Sequence, residues 1–301
     1  MTSGPHESGY AAKGKNLIFA VAVGLNLVFI GVEVIAGVVA SSMALLADAG
    51  HNATDVFSLL LAWGASLAAT RTPSNQRTYG LRRATILAAL ANSLLIMGAV
   101  GIITWEAVQR FFRPGSTEAT VVIVVALVGV AINTLTALLF LRDRKADLNL
   151  GAAFAHMAAD AGISFGVVVS GVLIAVFGWM WLDPAVSLMI AAAVVWGTWS
   201  ILRRSLNLAL DGVPEDVDLA DVHAYLASLP GVLEVHDLHV WALSTTETAL
   251  TAHLLRPDSS NQDQILRDAT RHLCERYRIC HITLQWERGD TDVCGEPCEK
   301  E

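Results

Sequence analysis

The chain has 301 residues, of which 54% are hydrophobic and only 16% are charged, whereas a soluble domain usually carries about 25% charged residues. Residues 211–301 contain 18 of the 28 acidic and 7 of the 20 basic side chains, a net charge of −11, which leaves a net charge of +3 for residues 1–210. This asymmetry predicts two domains in different surroundings, and the acidic tail argues against nucleic acid as a partner.

Six apolar stretches are each long enough for a transmembrane helix, which needs roughly 20 residues. They cover residues 17–39, 43–69, 84–109, 119–141, 151–178 and 183–202. The first is too long for the hydrophobic part of a signal peptide and no A-x-A cleavage site follows it, so we interpret it as a retained helix. We therefore predict an N-terminal tail at 1–16 and a six-helix transmembrane domain at 17–210.

Basic residues alternate between the loops. Eleven Lys and Arg residues lie in alternate segments: before the first stretch, between the second and third, between the fourth and fifth, and after the sixth. The opposite loops contain only Arg110 and Arg113. Cytoplasmic loops carry the excess of basic residues, so both termini and the acidic tail are predicted to be cytoplasmic. We expect an integral, multi-pass protein of a bacterial inner membrane.

A His and an Asp four residues apart interrupt two of these stretches. Asp48, His51 and Asp55 share one face of the second predicted helix, and His156 and Asp160 lie four residues apart on the fifth. Residues i and i+4 share a helix face, so each His-x-x-x-Asp offers one nitrogen and one oxygen ligand. Two such pairs facing each other would complete a tetrahedral site for a zinc-like ion.

The alternative is that these side chains only join helices by hydrogen bonds, which is our interpretation of neutral residues such as Asn26, Asn92 and Asn133. Such bonds contribute about 0.6–2 kcal/mol, whereas a charged side chain at mid-bilayer costs about 2.5–3.5 kcal/mol. The balance favours an ion site. A further ionisable residue, Glu33, lies in the first stretch.

Two imidazoles and two carboxylates without a thiolate favour Zn(II), with Cd(II), Co(II) and Ni(II) left open. Metal binding needs neutral His and ionised Asp, so protons compete with the metal. A site that faced the two sides of the membrane in turn would exchange metal for protons.

The chain resembles the cation diffusion facilitators of the zinc-exporting type. The resemblance extends over roughly residues 15–290 and is carried by residues 42–52 with Asp55, by 77–83, by 156–160 and by 236–241. It implies a homodimer of six-helix protomers, each with a ferredoxin-like cytosolic domain, and zinc/proton antiport by alternating access. The implied transport ligands are His51, Asp55, His156 and Asp160. Asp48 either supports these ligands from outside the coordination sphere or packs helices.

The loop from Thr70 to Gly80 contains neither Asp nor His. Some bacterial members of the family hold a second metal in this loop, and we predict none here. Some members also join this loop to the segment after the sixth helix through a salt bridge. The candidates are Arg83 and Asp211, with anchoring of Arg83 at the membrane interface as the alternative.

Residues 211–288 predict a small α+β domain. The pattern indicates a helix from Asp218 to Leu229, strands at Val232–Leu243 and Glu247–Arg256, a helix capped by Asn261 that ends near Tyr277, and a strand at Ile279–Glu287.

His236, His239, His253 and Glu287 lie on the predicted strands. The resemblance implies that His236, His253 and Glu287 bind a regulatory or dimer-stabilising zinc ion, with His239 as a further candidate. The alternative is that these are surface histidines without a ligand.

All four cysteines lie in the tail, and in a cytosolic domain we expect metal ligands or thiols rather than disulfides. Cys274 is expected to pack on the last helix, with Cys280 as a weaker ligand candidate. Cys294 and Cys298 in the tail at 289–301 resemble the terminal cysteines of vertebrate-type zinc transporters. A partner's N-terminal His/Cys motif completes that site, and this N-terminus offers only His6.

Two rival functions are a membrane-embedded metalloenzyme and a metal sensor. Four protein ligands would fill the zinc coordination shell, whereas catalytic zinc keeps an open position. The sequence shows no H-E-x-x-H motif and no DNA-binding or kinase-like segment. We therefore expect a transporter and not an enzyme.

Overall fold

The computed structural model describes residues 24, 26–112, 117–141, 148–257 and 260–289, apart from the side chains at 59, 139, 140, 148–153 and 156. Within these ranges the helices are α1 (Asn26–Val39), α2 (Met43–Ala69), α3 (Ala84–Phe112), α4 (Ala119–Leu141), α5 (Leu148–Phe177), α6 (Leu182–Ala209), α7 (Leu219–Ala227) and α8 (Gln262–Tyr277), and the strands are β1 (Glu234–Ala242), β2 (Thr248–Leu255) and β3 (Ile279–Glu287).

Four of the described helices are long and apolar enough to cross a membrane: α3, most of α4, α5 from Met157 onward, and α6. The bounds of α2 and α4 coincide with their apolar stretches, whereas α6 continues seven residues beyond the predicted end at 202. The added segment contains Arg203, Arg204 and leucines, which are good helix formers. In α6, therefore, the helix continues beyond the end of the apolar stretch.

The described parts of residues 1–60 and 93–199 form one compact unit. Small residues allow its helices to approach closely, as is usual between membrane helices. A Cβ atom on Gly129 of α4 would lie 2.7 Å from the Phe29 ring of α1, and a Cβ atom on Gly171 of α5 would lie 2.8 Å from Ile123 of α4. Alanine and valine side chains fill most of the core around these contacts.

The first turn of α2 is capped by a residue from another helix. Asp183, in the first turn of α6, is 1% exposed and accepts hydrogen bonds from the Ser42 hydroxyl and from the backbone N–H of Met43 at 2.7 Å. The first N–H groups of a helix have no partner within the helix. A buried carboxylate from α6 therefore stabilises the start of the helix that carries Asp48, His51 and Asp55.

Residues 61–92 and the described part of 200–301 form a second compact unit that contains the sheet. The strand order is β1-β2-β3, with β1 and β2 antiparallel and β2 and β3 parallel. Helix α8 makes the crossover that parallel pairing requires. The core contains Val222 and Leu226 of α7, Leu273 of α8 and Leu250 of β2, all fully buried.

The helix caps in this unit differ in mechanism. The Asp218 side chain accepts hydrogen bonds from two N–H groups in the first turn of α7. Asn261 occupies the predicted cap position of α8, but it is in the left-handed conformation and its side chain caps nothing. Asp and Asn both favour the cap position, but only Asp218 caps its helix with its side chain, whereas Asn261 takes up the left-handed turn before α8.

Cys274 and Cys280 form a disulfide, which corrects the expectation that Cys274 only packs and that Cys280 is a thiol or a metal ligand. Helix α8 ends at Tyr277, and Arg278 takes the left-handed conformation before β3 begins. The resulting sharp reversal places the last turn of α8 beside the start of β3, with 4.5 Å between the two Cα atoms. This separation falls in the range that a disulfide spans.

Candidate metal centres

A cluster of metal-ligating side chains joins α2 to α5. His51 Nε2 lies 3.3 Å from Asp160 Oδ1, and His51 Nδ1 lies 3.8 Å from Asp55 Oδ2. One ligand atom of each residue lies within 4.8 Å of the other two. The Asp160 carboxylate is buried, whereas His51 and Asp55 are partly accessible. One nitrogen and two oxygen donors thus converge at a point that an ion can reach.

The fourth predicted ligand, His156, belongs to α5 one turn before Asp160 and therefore lies on the same helix face. Its side chain is outside the described ones. The structure thus brings together three of the four predicted ligands and gives the helix position of the fourth.

Asp48 lies outside this cluster and contacts other groups. It accepts a hydrogen bond from Ser164 Oγ at 2.9 Å, and Asn52 Nδ2 donates to Glu33 Oε2 at 3.1 Å. All four side chains are buried. Glu33 is recognisable from the sequence, whereas Asn52 and Ser164 were not predicted. Helical spacing offered a signal, because Asn52 lies one turn after Asp48 and Ser164 one turn after Asp160.

His51 also borders a cavity between α2, α3 and α6. The lining is mostly apolar and includes Ala47, Val100 and Ile190, with Thr54 as a polar neighbour of His51. A Cβ atom on Gly50 would lie 3.1 Å from Ile103 Cδ1, so glycine keeps the α2 backbone close to α3 here. The His51 side chain thus borders the cavity on α2 and is 16% exposed.

A second cluster lies on the sheet and combines one residue from each strand. His236 of β1 is the cross-strand partner of His253 of β2, and Glu287 ends β3. Glu287 Oε2 lies 3.0 Å from His236 Nε2, and Glu287 Oε1 lies 2.8 Å from His253 Nδ1. All three side chains are half-buried, and one ligand atom of each lies within 4.8 Å of the others. Two imidazoles and a carboxylate suit Zn²⁺.

Asp237 adds an oxygen that the sequence analysis missed. A β-bulge lies between His236 and His239, and Asp237 has a positive φ of 51°. Regular alternation would place Asp237 on the face opposite His236. With the bulge, Asp237 Oδ2 instead lies 3.6 Å from His253 Nε2.

His239 lies outside the sheet cluster. Its side chain is 64% exposed, and its Nε2 atom contacts Asp237 Oδ1 at 2.8 Å. Cys294 and Cys298, like His6, lie outside the described residues.

The loop between α2 and α3 contacts residues of the tail within the second unit. Arg83 and Asp211 form an ion pair. Arg82 Nη1 lies 3.0 Å from Glu247 Oε2, and Thr85 Oγ1 accepts a hydrogen bond from the backbone N–H of Thr245 at 3.1 Å. These last two contacts were not predicted, because nothing in the sequence of the β1–β2 turn indicates its partner.

Comparisons with known proteins cover nearly the whole chain. Residues 19–208 match the cation efflux transmembrane domain, and residues 214–289 match the cytoplasmic domain of cation efflux proteins. The metal cation efflux system protein CzcD of Cupriavidus metallidurans is 35% identical over 95% of this chain and 89% of its own length. The zinc transporter ZitB of Escherichia coli is 32% identical over 94% and 91%.

The cadmium, cobalt and zinc/H⁺-K⁺ antiporter of Bacillus subtilis is 32% identical over 85% of this chain and 84% of its own length. Among solved structures, the metal-bound C-terminal domain of the CzcD transporter from Cupriavidus metallidurans matches 24% of this chain and 99% of that chain at 36% identity, with a TM-score of 0.23. With both cation efflux domains matched in order along its length, the chain belongs to the cation efflux family, whose members are membrane transporters and not enzymes.

Proposed function

We propose that this protein exports Zn(II) from the cytoplasm in exchange for protons, with Cd(II), Co(II) and Ni(II) as further substrates that the donor set accepts. The observation that carries the proposal is the convergence of His51, Asp55 and Asp160 from two helices of the membrane domain. Relatives named as a zinc transporter and as a cadmium, cobalt and zinc/H⁺-K⁺ antiporter support it.

The ligand chemistry accounts for the exchange. His51, Asp55, Asp160 and His156 bind the metal when the imidazoles are neutral and the carboxylates ionised, so metal and protons compete for the same groups. A site that opens to the cytoplasm releases protons as it binds metal. When it opens to the other side, where it meets protons and little metal, the reverse exchange occurs.

The proposed architecture is a six-helix transmembrane domain at residues 17–210, with α1 and α2 completing the set of spans, and both termini in the cytoplasm. The cytosolic domain at 211–288 is ferredoxin-like. Its order of α7, β1, β2, α8 and β3 and the parallel pairing of β2 with β3 support this. Residues 1–16 and 289–301 are the terminal segments outside these two domains. The protein works as a homodimer in a bacterial inner membrane, as the dimerisation domain matched at 214–289 supports.

A second zinc ion is proposed to bind His236, His253 and Glu287 as a structural or regulatory ion, with Asp237 as the nearest further oxygen ligand. The fit rests on the donor types and on their convergence from three strands. A role of His239, Cys294 and Cys298 in zinc binding stays a prediction, as does support of the transport ligands by Asp48. The alternative functions of metalloenzyme and sensor gain no support from this family of transporters.

Transport by purified protein in proteoliposomes tests the main proposal. An inward zinc gradient should drive zinc uptake and proton efflux, read by a zinc indicator and a pH indicator inside the vesicles. Asp55→Ala and His156→Ala should reduce both signals to the level of empty vesicles, because each removes a proposed ligand.

Glu118→Gln changes an exposed carboxyl group at the start of α4 and serves as the matched control. Zinc uptake without proton movement would contradict antiport. Uptake that survives both ligand substitutions would contradict the site.

A further inference from the structure

The buried polar network of Glu33, Asp48, Asn52 and Ser164 joins α1, α2 and α5 beside the proposed metal ligands. Asn52 donates to one oxygen of Glu33, and Ser164 donates to one oxygen of Asp48. Glu33, Asp48 and Ser164 are completely buried. Two carboxyl groups are thus held in the core of the membrane domain, and neither belongs to the ligand cluster.

Each carboxyl group keeps one oxygen that these bonds do not use. Glu33 Oε1 and Asp48 Oδ1 are buried and accept no hydrogen bond from the donors of the described residues. Asp48 and Asn52 lie one turn apart on α2 and so share a helix face, and Asn52 donates to Glu33, which places the two carboxyl groups beside each other. Ionised carboxylates only accept hydrogen bonds, so a bond between two of them requires that one carries a proton. One proton would satisfy both remaining oxygens at once.

We propose that Glu33 and Asp48 form a carboxyl pair that binds one proton between Oε1 and Oδ1, and that this proton is one of those exchanged for the metal. No bond between heavy atoms forms or breaks. The proton leaves to water as the divalent cation arrives, and the charge of the pair changes from −1 to −2. The exchange rests on the proposed function, whereas proton sharing by the pair does not.

The surroundings of the pair link it to the metal ligands. Asp48 lies one turn before His51 on α2, and its donor Ser164 lies one turn after Asp160 on α5, so His51 and Asp160 are the ionisable groups nearest to the pair along these two helices. Asn52 and Ser164 bind the other two oxygens of the pair. A divalent cation bound to His51 and Asp160 would repel a proton held this close, because the buried surroundings screen charge weakly. Metal binding and proton loss are therefore coupled through space without a shared ligand.

Infrared spectroscopy of the full-length protein in detergent tests the pair directly. At about pH 8 ordinary carboxyl groups, which titrate at about pH 4, are ionised. The metal-free protein should nevertheless show the C=O stretch of a protonated carboxylic acid, and this band should shift in deuterated water. Glu33→Gln and Asp48→Asn should each lose it. Glu118→Gln makes the same chemical change at an exposed carboxyl group and should keep it.

Addition of Zn²⁺ then tests the exchange. The band should disappear from the wild type as zinc saturates it, and zinc binding to Glu33→Gln should release one proton fewer per protomer. A wild type without the band at this pH would overturn the pair even if neither variant folds. A band that survives in a folded variant of either residue, or that survives zinc saturation, would overturn it too. If the metal-free wild type shows the band but the wild type transports no zinc in proteoliposomes, the proposed function is contradicted and the pair is not.

Discussion

Each of the three strands contributes one metal-ligating side chain to the sheet cluster: His236 from β1, His253 from β2 and Glu287 from β3. His253 lies at the centre, because it contacts both Glu287 and Asp237 and pairs across the hairpin with His236. Glu287 contacts both imidazoles. Removal of His253 therefore takes away one of the two imidazoles and the residue that contacts both carboxylates.

We expect His253→Ala to lower the zinc content of the full-length protein by one ion per protomer, measured by equilibrium dialysis and elemental analysis. His223→Ala makes the same change at an exposed position of α7 and should keep the wild-type content. His239→Ala should have a smaller effect than His253→Ala, because the His239 side chain is 64% exposed and contacts the cluster through Asp237. Equal zinc contents in His253→Ala and wild type would contradict the site.

The spacing of the proposed ligands on α2 and α5 could be predicted from sequence, because the period of a helix relates His51 to Asp55 whatever surrounds them. Asp237 could not, because its orientation depends on one extra residue in β1. The same holds for Asp183 and for the pair of Glu33 and Asp48. Their contacts depend on which helices are neighbours, and a single sequence does not encode that in any local pattern.

The bounds of a helix or strand were predictable where one residue pattern, continuous or alternating, extends along the whole element. Helices α2 and α4 and strand β3 have the predicted bounds, whereas α6 extends past its apolar stretch. The disulfide between α8 and β3 escaped prediction, because it depends on the left-handed turn at Arg278 and not on the spacing of the cysteines.

The cap from α6 makes α2 dependent on Asp183. We expect Asp183→Ala to destabilise the protein by about 1–2 kcal/mol, the usual effect of losing a cap, and to lower its melting temperature in detergent. Asp183→Asn keeps an acceptor oxygen and should have a smaller effect. Asp216→Ala, an exposed aspartate in the tail, is the matched control. Melting temperatures that are equal for Asp183→Ala and this control would show that the cap does not stabilise α2.

At the scale of the whole molecule, the two compact units do not follow the boundary between the predicted domains. Residues 61–92, which include the loop between α2 and α3, group with the tail and not with the other membrane residues. Three contacts join the two parts of this unit: Arg83 with Asp211, Arg82 with Glu247, and Thr85 with Thr245. The cytosolic sheet is therefore attached to the α2–α3 loop by several weak contacts.

Charge reversal tests the attachment. Glu247→Arg should lower the zinc transport rate while it leaves zinc affinity unchanged, because no ligand is altered. Arg82 and Glu247 are 37% and 47% exposed, so the loss of stability should stay within about 1 kcal/mol. The double exchange Arg82→Glu with Glu247→Arg should restore transport. Glu215→Arg reverses an exposed charge elsewhere in the tail and should transport at the wild-type rate.

The absence of one methyl group at Gly129 has a consequence for how this membrane domain tolerates change. A Cβ atom there would meet both the Phe29 ring and Ser164 Oγ, the latter at 3.1 Å, and Ser164 is the donor to Asp48. Helix α4 provides none of the proposed ligands, yet at Gly129 its backbone lies close to side chains of both α1 and α5. Alanine at 129, a mild substitution by chemistry, would thus press on the Phe29 ring and on the Ser164 hydroxyl that binds Asp48.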